Sequence, residues 1–364
     1  MIRLIPKIPA YQMFRHFGFP KMLPLNVTVS LTYRCNSRCK TCNVYEKEVS
    51  EFSLEEFDKT FKSLGPAPYW ITMSGGEPFL RKDIVDICKS AYEKCKPKIM
   101  NIPTNGILTE VIYERVKQIA MNSPETHLII NVSIDHLGKK HDEIRNVKNN
   151  FLRAIETLEK LKALKYSNLT IGVHTVISKY NVKDFPKIYE ELSGFKPDSY
   201  VTEIAEERVE LGTVGEQISP AWKDYATAVD FLSQRIKEQH YNGISRVTQA
   251  FRLEYYDLVK RTLNEKRQVI PCYAGFLSAQ VAPDGEVWAC CIKAKPMGSL
   301  REVNYDFKRV WSSPKADKVR EAIRRKSCFC PLANASYTNM LASYRTLAAV
   351  LKNVAPWKLP KFIK

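Results

Sequence analysis

The residues of this chain best suited to chemistry begin with three cysteines in a short loop. The stretch "TYRCNSRCKTCNVY", residues 32–45, holds Cys35, Cys39 and Cys42 with three and then two residues between them. A structural zinc site needs four ligands that close a tetrahedron, so three thiols leave one position for another group. In a cubane iron-sulfur cluster each iron takes one outer ligand, and three thiolates leave one iron open. The spacing therefore indicates a metal centre that can bind a substrate or cofactor.

A second group of cysteines lies in the later part of the chain. Its five members are Cys272, Cys290, Cys291, Cys328 and Cys330. Gly285 follows the first member after twelve residues and precedes the second by four. Four thiolates suit zinc as well as an iron-sulfur cluster, so the residue types leave both kinds of site open. The two remaining cysteines, Cys88 and Cys95, are expected to be small buried side chains.

These cysteines need a scaffold, and the sequence before residue 205 predicts one. Six β-rich runs alternate there with helical stretches, which favours a parallel α/β sheet that is curved or closed. The runs are "NVTVSLT", "YWITMSG", "IMNIPTNG", "HLIINVSID", "LTIGVHTVIS" and "SYVTEI". The cysteine loop directly follows the first run, and parallel barrels keep their sites at this end of their strands.

One face of the predicted strands is polar. In "NVTVSLT" the apolar residues alternate with Thr28, Ser30 and Thr32, and in "INVSID" they alternate with Asn131, Ser133 and Asp135. An eight-stranded α/β barrel fills its interior mainly with Val, Ile and Leu. A polar interior therefore predicts a partial barrel whose lumen holds a polar ligand. His174 lies on the corresponding face of the fifth run and could enter this lumen, although a satisfied core histidine is the commoner outcome.

The first cysteine group resembles the signature of the radical S-adenosylmethionine (SAM) superfamily, and the resemblance covers residues 26–204. It implies a partial (β/α)6 barrel and a [4Fe-4S] cluster held by Cys35, Cys39 and Cys42. In that family the open iron binds the amino and carboxylate groups of SAM. An electron, from a donor such as flavodoxin or ferredoxin, then cleaves SAM to methionine and a 5′-deoxyadenosyl radical. Thr41 departs from the pattern, because relatives often have there an aromatic residue that packs the adenine.

Further motifs support the resemblance, each at a strand end. The "GGEP" string looks like the loop that binds the SAM amino group, the "TNG" string follows the third strand, and a Ser and Asp after the fourth are similar to a ribose-binding pair. An arginine in the loop string "HDEIR" could reach the SAM carboxylate. The cofactor-binding residues so implied are Gly75, Gly76, Glu77, Pro78, Asn105, Ser133, Asp135 and Arg145.

The second cysteine group resembles the start of the SPASM or twitch domains that follow many radical SAM barrels. The full SPASM pattern has seven cysteines, whereas this chain has five candidates. The resemblance thus implies one auxiliary iron-sulfur cluster, with Cys291 as a reserve ligand and a structural zinc knuckle as the alternative. The expected ligands are Cys272, Cys290, Cys328 and Cys330.

The chain divides on this basis into five segments. They are a basic and aromatic N-terminal segment (1–25), the barrel (26–204), a helical connector (205–270), the auxiliary-cluster domain (271–334) and a basic amphipathic tail (335–364). The tail predicts either a helix that contacts an anionic membrane surface or a helix that packs back on the barrel. The two terminal segments thus make peripheral contact with the inner membrane surface an open prediction.

Composition limits the remaining classes of protein. The 364 residues contain 45% hydrophobic side chains, enough for a sizeable core, and no run approaches the roughly 20 apolar residues of a membrane span. Prolines and charges interrupt the N-terminus, where a signal peptide would be apolar, so we expect a cytoplasmic protein whose clustered cysteines bind metal. The net charge of +17 favours polyanions, but aromatic residues and arginines do not interleave as in an RNA-binding surface, so nucleic acid is not an expected partner.

The resemblance to the radical SAM superfamily implies an enzyme that abstracts hydrogen from a large substrate. Lipid or lipid-linked chemistry is the first prediction for that substrate, and a peptide-modifying maturase is the alternative. A non-catalytic, metal-stabilised RNA-binding module is the rival from another class. Fold and motifs alone do not name the substrate, and no catalytic residue beyond the cluster and SAM is assigned.

Overall fold

Nine strands form one sheet in the computed structural model, which describes residues 2–239 and 243–354. The strands are β1 (Asn26–Thr32), β2 (Trp70–Gly75), β3 (Ile99–Thr104), β4 (His127–Ser133), β5 (Leu169–Ile177), β6 (Ser199–Ile204), β7 (Ser278–Val281), β8 (Glu286–Trp288) and β9 (Pro296–Ser299). Their order is β6-β5-β4-β3-β2-β1-β7-β8-β9, and β1 to β6 pair in parallel. The predicted α/β partial barrel is confirmed.

Helices lie in the connections between the six parallel barrel strands, and further helices precede and follow these strands. They are α1 (Ile8–Phe17), α2 (Leu54–Leu64), α3 (Ile84–Cys95), α4 (Thr109–Asn122), α5 (Gly138–Arg145), α6 (Asn150–Lys162), α7 (Phe185–Gly194), α8 (Trp222–Glu238), α9 (Gly243–Glu265), α10 (Phe307–Trp311), α11 (Pro314–Arg324), α12 (Ala333–Leu341) and α13 (Tyr344–Val354). The interpretation of "HDEIR" as a loop is wrong, because these residues belong to α5.

Alternation along the strands separates a helix-covered core from a polar lumen, as predicted. Val27, Val29 and Leu31 of β1 are almost fully buried in the main hydrophobic core. On the other face, the hydroxyl of Ser30 donates to Glu210 Oε1 at 2.8 Å. The polar face is therefore buried against other polar groups rather than against the core.

The auxiliary-cluster unit continues the barrel sheet. Strand β7 pairs in parallel with β1, from Asn26 opposite Ser278 to Val29 opposite Val281. Strands β8 and β9 then extend the sheet in antiparallel order. A turn at Asp284-Gly285 lies between β7 and β8, where Gly285 has a φ of +90°. The sheet and the core thus cross the predicted boundary at residue 271.

The C-terminal helices pack back on the connector. Helix α13 lies against α9, with Val350 buried and Leu347 in contact with the same hydrophobic cluster. The side-chain amide of Asn353 donates to Glu254 Oε1 at 2.7 Å. The tail residues 355–364, which carry much of the predicted basic charge, lie outside the described residues. Within the described part, no helix is long and apolar enough to cross a membrane.

Candidate active site

The three cysteines of the first group line one open cavity of about 210 Å³ at the carboxyl ends of the barrel strands. Their loop is held from outside by α5. The backbone N–H of Arg38 donates to Arg145 O at 3.1 Å, and that of Lys40 donates to Ile144 O at 2.9 Å. The last carbonyls of a helix have no intrahelical partner, so these bonds both end α5 and fix the loop.

Gly75, the last residue of β2, and the next residue, Gly76, allow the backbone to lie against the start of the cysteine loop. The N–H of Gly76 donates to Thr32 O at 2.7 Å. A Cβ would lie 2.2 Å from Thr32 O at Gly75 and 2.3 Å from Arg34 O at Gly76, and Gly75 also has a φ of +119°. No residue with a side chain fits either position without moving the backbone. Both glycines line the cavity, as expected for a cofactor-binding loop.

Glu77 joins the "GGEP" and "TNG" loops. It is almost fully buried, and its carboxylate accepts bonds from the N–H of Phe79 (3.1 Å), the hydroxyl of Thr104 (3.0 Å) and the N–H of Asn105 (2.8 Å). Burial raises its pKa to about 7, although these bonds oppose the shift. Glu77 therefore supports the two loops as well as lining the cavity. Pro78 is buried and lies outside the cavity lining.

Asn105 connects the third strand to the cysteine loop. Its side-chain amide donates to Asn36 Oδ1 at 2.7 Å and to Ser37 Oγ at 3.3 Å, and its Oδ1 accepts from the N–H of Ile107 at 3.0 Å. It lines the cavity, as predicted. Asn105 therefore fixes the cysteine loop relative to the end of β3.

The structure separates the predicted ribose pair. Strand β4 ends at Ser133, which lines the cavity, whereas Asp135 lies beyond the strand and outside the lining. Asp135 Oδ2 is 2.7 Å from Arg145 Nε, an ionic contact without an aligned hydrogen bond, and Oδ1 accepts from the N–H of Val176 at 3.0 Å. Burial has the largest single effect on the pKa of Asp135 and would raise it, but the Arg145 charge, nearby His141 and the N–H of Val176 together outweigh burial, so the pKa lies below its usual value. The role of Asp135 in ribose binding stays a prediction.

Arg145 lines the cavity and faces the cysteine loop. Its Nη1 lies 3.9 Å from Cys39 Sγ, so the guanidinium can stabilise a thiolate there. Nearby His141 accepts the N–H of Asp135 at Nδ1 (3.1 Å), which leaves the proton on Nε2 for Asn150 Oδ1 (3.2 Å). Burial lowers the pKa of His141 to about 4, so this imidazole is neutral and positions Asp135.

Four further residues of the cavity lining form what we call the charged wall. They are His174 on β5, Glu203 on β6, and Glu206 and Arg208 on the loop that follows. Arg208 Nη2 lies 3.2 Å from Glu206 Oε2 and 3.8 Å from Glu203 Oε2. Burial raises the pKa of Glu206 to about 7 even though Arg208 opposes the shift. No sequence motif marks Glu203, Glu206 and Arg208, although Glu203 follows the inward period of β6.

His174 lines the cavity instead of being a satisfied core histidine. Its Nε2 is buried without a hydrogen-bond partner and lies 3.9 Å from Glu203 Oε1. His174 therefore lies in the lumen, which is the less common of the two outcomes considered from the sequence.

Comparison with known proteins identifies the family. The model of the radical SAM superfamily matches residues 29–192, and the SPASM model, an iron-sulfur cluster-binding domain, matches residues 272–331. The chain belongs to the radical SAM superfamily. Its radical SAM domain implies a [4Fe-4S] cluster and SAM, and its SPASM domain implies auxiliary iron-sulfur clusters.

Individual radical SAM relatives differ in what their names describe. Fe-coproporphyrin III synthase of Methanosarcina barkeri is 27% identical over 60% of this chain and 53% of its own length. The antilisterial bacteriocin subtilosin biosynthesis protein AlbA of Bacillus subtilis is 24% identical over 82% of this chain and 62% of its own length. The chain thus spans about half to three fifths of these relatives.

The radical SAM fold is shared with solved structures. Streptococcus suis SuiB bound to S-adenosylmethionine has a TM-score of 0.63 and 14% identity, covering 86% of this chain and 71% of SuiB. SuiB has also been solved with the precursor peptide SuiA, at a TM-score of 0.59, 15% identity, and coverage of 85% and 69%. At these identities the likeness concerns the fold.

The donors in the radical SAM cavity fit a cluster. The N–H of Ser37 donates to Cys35 Sγ at 3.4 Å, and Arg145 faces Cys39, so two sulfurs have donors that favour the thiolate. Burial raises the pKa of Cys35 to about 11 and that of Cys42 to about 12, so binding iron must displace their protons. Across the described ranges, no three His, Cys, Asp or Glu side chains converge on one ion. In a cubane each thiolate binds a different iron, so such convergence is not required.

The SPASM cysteines separate into a group and an outlier. Cys272, Cys328 and Cys330 line a second pocket, and the pKa of Cys272 is raised by burial and then by Cys290 and Cys328 nearby. Cys291 is buried instead beside Arg208 and Glu210. The backbone N–H of Glu210 donates to Cys291 O at 3.2 Å. This arrangement favours Cys290 over the reserve residue Cys291, and the complete ligand set stays a prediction.

Proposed function

We propose that this protein is a radical SAM enzyme that modifies a peptide. The observation that carries the proposal is the single cavity that joins the three cysteines to the charged wall. A substrate group placed at the wall would lie in the same space as the cofactor. The bound cluster and SAM would supply a radical able to abstract hydrogen, and the wall would hold the substrate in reach.

The charges of the cavity support a peptide over a tetrapyrrole. AlbA is named for bacteriocin biosynthesis and SuiB was solved with a precursor peptide, whereas another relative is named for coproporphyrin chemistry. Tetrapyrrole carboxylates would need free cations. The described residues that line the cavity include two guanidiniums. Arg145 contacts Asp135 and would bind SAM, and Arg208 is paired with Glu206, so neither is free for a tetrapyrrole carboxylate. A neutral polar chain such as a peptide suits this balance better.

The lipid-linked substrate predicted first has less support. The apolar side of α13 that could have contacted a membrane packs on α9, with Val350 buried between them. The relatives reported above carry no lipid substrate in their names. Peptide chemistry is therefore the proposal that the tests should address first.

In the proposed reaction each group of this chain has one task. Cys35, Cys39 and Cys42 would hold the cluster. The backbone at Gly75 and Gly76, with Asn105, Ser133 and Arg145, would bind and orient SAM. An external electron donor, such as flavodoxin or ferredoxin, would reduce the cluster.

The first test is to replace Cys35, Cys39 and Cys42 together by Ala. After anaerobic reconstitution, we expect the variant to hold about four irons fewer than the unaltered protein and to produce no 5′-deoxyadenosine from SAM and dithionite. Cys88→Ala, in the hydrophobic core, is the matched control and should keep both properties. Undiminished 5′-deoxyadenosine from the triple variant would refute the radical chemistry.

The second test concerns the substrate. Short peptides encoded beside this gene should be incubated with the reduced enzyme and SAM, and their masses should then be measured by mass spectrometry. A SAM-dependent mass change is the expected result. Conversion of coproporphyrin but of no such peptide would instead assign the tetrapyrrole chemistry.

A further inference from the structure

The charged wall contains several buried polar atoms without a partner. Among the described residues, Nε2 of His174, Oε1 of Glu206 and Nε of Arg208 are buried and make no hydrogen bond. Buried polar groups are almost always bonded, since a donor or acceptor that loses water without gaining a partner is destabilising. Three such atoms on one side of the substrate cavity indicate a place where a ligand supplies the missing partners.

Backbone hydrogen bonds fix the loop that carries Glu206 and Arg208. The N–H of Arg208 donates to Thr213 Oγ1 at 3.0 Å, which closes the loop on itself. The neighbouring N–H of Val209 donates to Ile292 O at 3.2 Å, in the SPASM hairpin region. The loop is therefore fixed between the barrel and the SPASM domain, and its unpartnered atoms are not the result of a free surface loop.

The charges of the wall select the kind of group that can bind. Glu203 and Glu206 both contact Arg208, so a further carboxylate in the cavity would meet two acids and one guanidinium. An ammonium group could bond to Glu206 but offers nothing to the Arg208 donor. A group that presents an N–H donor and a carbonyl acceptor to the same side satisfies both. The backbone of one extended peptide residue is such a group, since its own N–H and C=O point in the same direction, as in the hydrogen-bonded pairs of an antiparallel sheet.

We propose that Glu206 and Arg208 form a subsite for the backbone N–H and C=O of one residue of the substrate peptide. Glu206 Oε1 accepts that N–H, Arg208 Nε donates to that carbonyl, and His174 Nε2 is a third contact. The subsite sets the position of the peptide relative to the cysteine loop and would make recognition independent of the side chain bound there. This inference rests on the proposed peptide chemistry and specifies where that substrate is held.

The test uses the reconstituted full-length protein with SAM and N-acetylglycinamide as the amide probe. Saturation-transfer NMR titrations should show binding of this probe, with acetate and ethylammonium as the anionic and cationic comparisons. In Glu206→Ala the affinity for the amide should fall by about tenfold or more, the loss of one hydrogen bond to a charged group. Glu206→Gln, which keeps an acceptor oxygen, should retain more affinity than the Ala variant. Glu48→Ala, at an exposed acid outside the cavity lining, is the control.

A crystal structure of the unaltered protein with the probe removes any dependence on variant folding. The amide must lie within hydrogen-bond distance of Glu206 and Arg208. An amide bound elsewhere, stronger binding of acetate or ethylammonium, or an unchanged affinity in Glu206→Ala would overturn the subsite. SAM cleavage measured on the same sample tests the proposed radical chemistry separately. If cleavage occurs and the amide does not bind at the wall, this inference alone fails.

Discussion

Replacing Asp135 by Asn tests whether this residue is the counter-charge of Arg145 or a ligand of SAM. The two charged groups are 2.7 Å apart, and their side chains are only 3% and 11% exposed. At an effective dielectric constant of 20 their attraction is about 6 kcal/mol, partly offset by the cost of desolvating both groups. Asn keeps an oxygen for the N–H of Val176 but leaves the guanidinium without its partner. Losing one member of a buried pair costs about 3–5 kcal/mol.

The assay is urea denaturation of the apo protein, followed by tryptophan fluorescence. Asp184→Asn is the matched control, because Asp184 pairs with Lys140 at 2.7 Å but is 43% exposed, so its loss should cost about 0–1 kcal/mol. With the cluster bound, the thiolate of Cys39 offers Arg145 a second anion, so the cost of Asp135→Asn should be smaller. Equal costs for Asp135→Asn and Asp184→Asn would refute the counter-charge role. A loss of SAM affinity with unchanged stability would instead support the ribose contact predicted from the sequence.

Two more predictions concern the SPASM side of the molecule. Glu56 of α2 contacts Arg301 at 2.7 Å. The hydrogen bond from Arg301, together with those from Ser53 and Tyr305, lowers the pKa of Glu56 to about 2. A lowered pKa contributes stability above the unfolded value of about 4.5 that disappears as the pH falls toward 2. Glu56→Gln should therefore destabilise the apo protein at pH 7 by about 1 kcal/mol and less at pH 3, measured by urea denaturation, and an effect constant with pH would contradict this. Separately, Cys272→Ser should lower the iron content of the anaerobically purified protein whereas Cys291→Ser should not, and stoichiometric zinc would favour a structural knuckle.

Local patterns in the sequence predicted the strands well. The alternation in β1 and β4 reflects the side-chain period of an extended chain, so the lumen face could be assigned without knowing any tertiary contact. The "GGEP" and "TNG" strings lie at strand ends as expected, because such ends converge in parallel sheets. The period of two placed Asp135 on the lumen face beside Ser133. Strand β4 ends at Ser133, however, and the period does not apply beyond the end of the strand.

Features that depend on distant contacts were not predictable in this way. Helix α5 has a short apolar side, with only His141 and Ile144 buried, so it carries little periodic signal. Glu206 and Arg208 lie on an irregular loop whose position depends on the SPASM hairpin, and no local pattern marks it. The pairing of β7 with β1 likewise follows from tertiary packing between segments far apart in the chain.

The pairing of β7 with β1 has a consequence for synthesis of the protein. Val281 follows Thr32 by about 250 residues, which takes about 12–50 s at 5–20 residues per second. Throughout that time the outer edge of β1 has no neighbouring strand, and an open edge can pair with another nascent chain. The cysteine loop follows this same strand directly. Expression at low temperature with chaperones should therefore improve recovery of the full-length chain, whereas a fragment ending near residue 270 keeps the edge exposed permanently and is expected to aggregate.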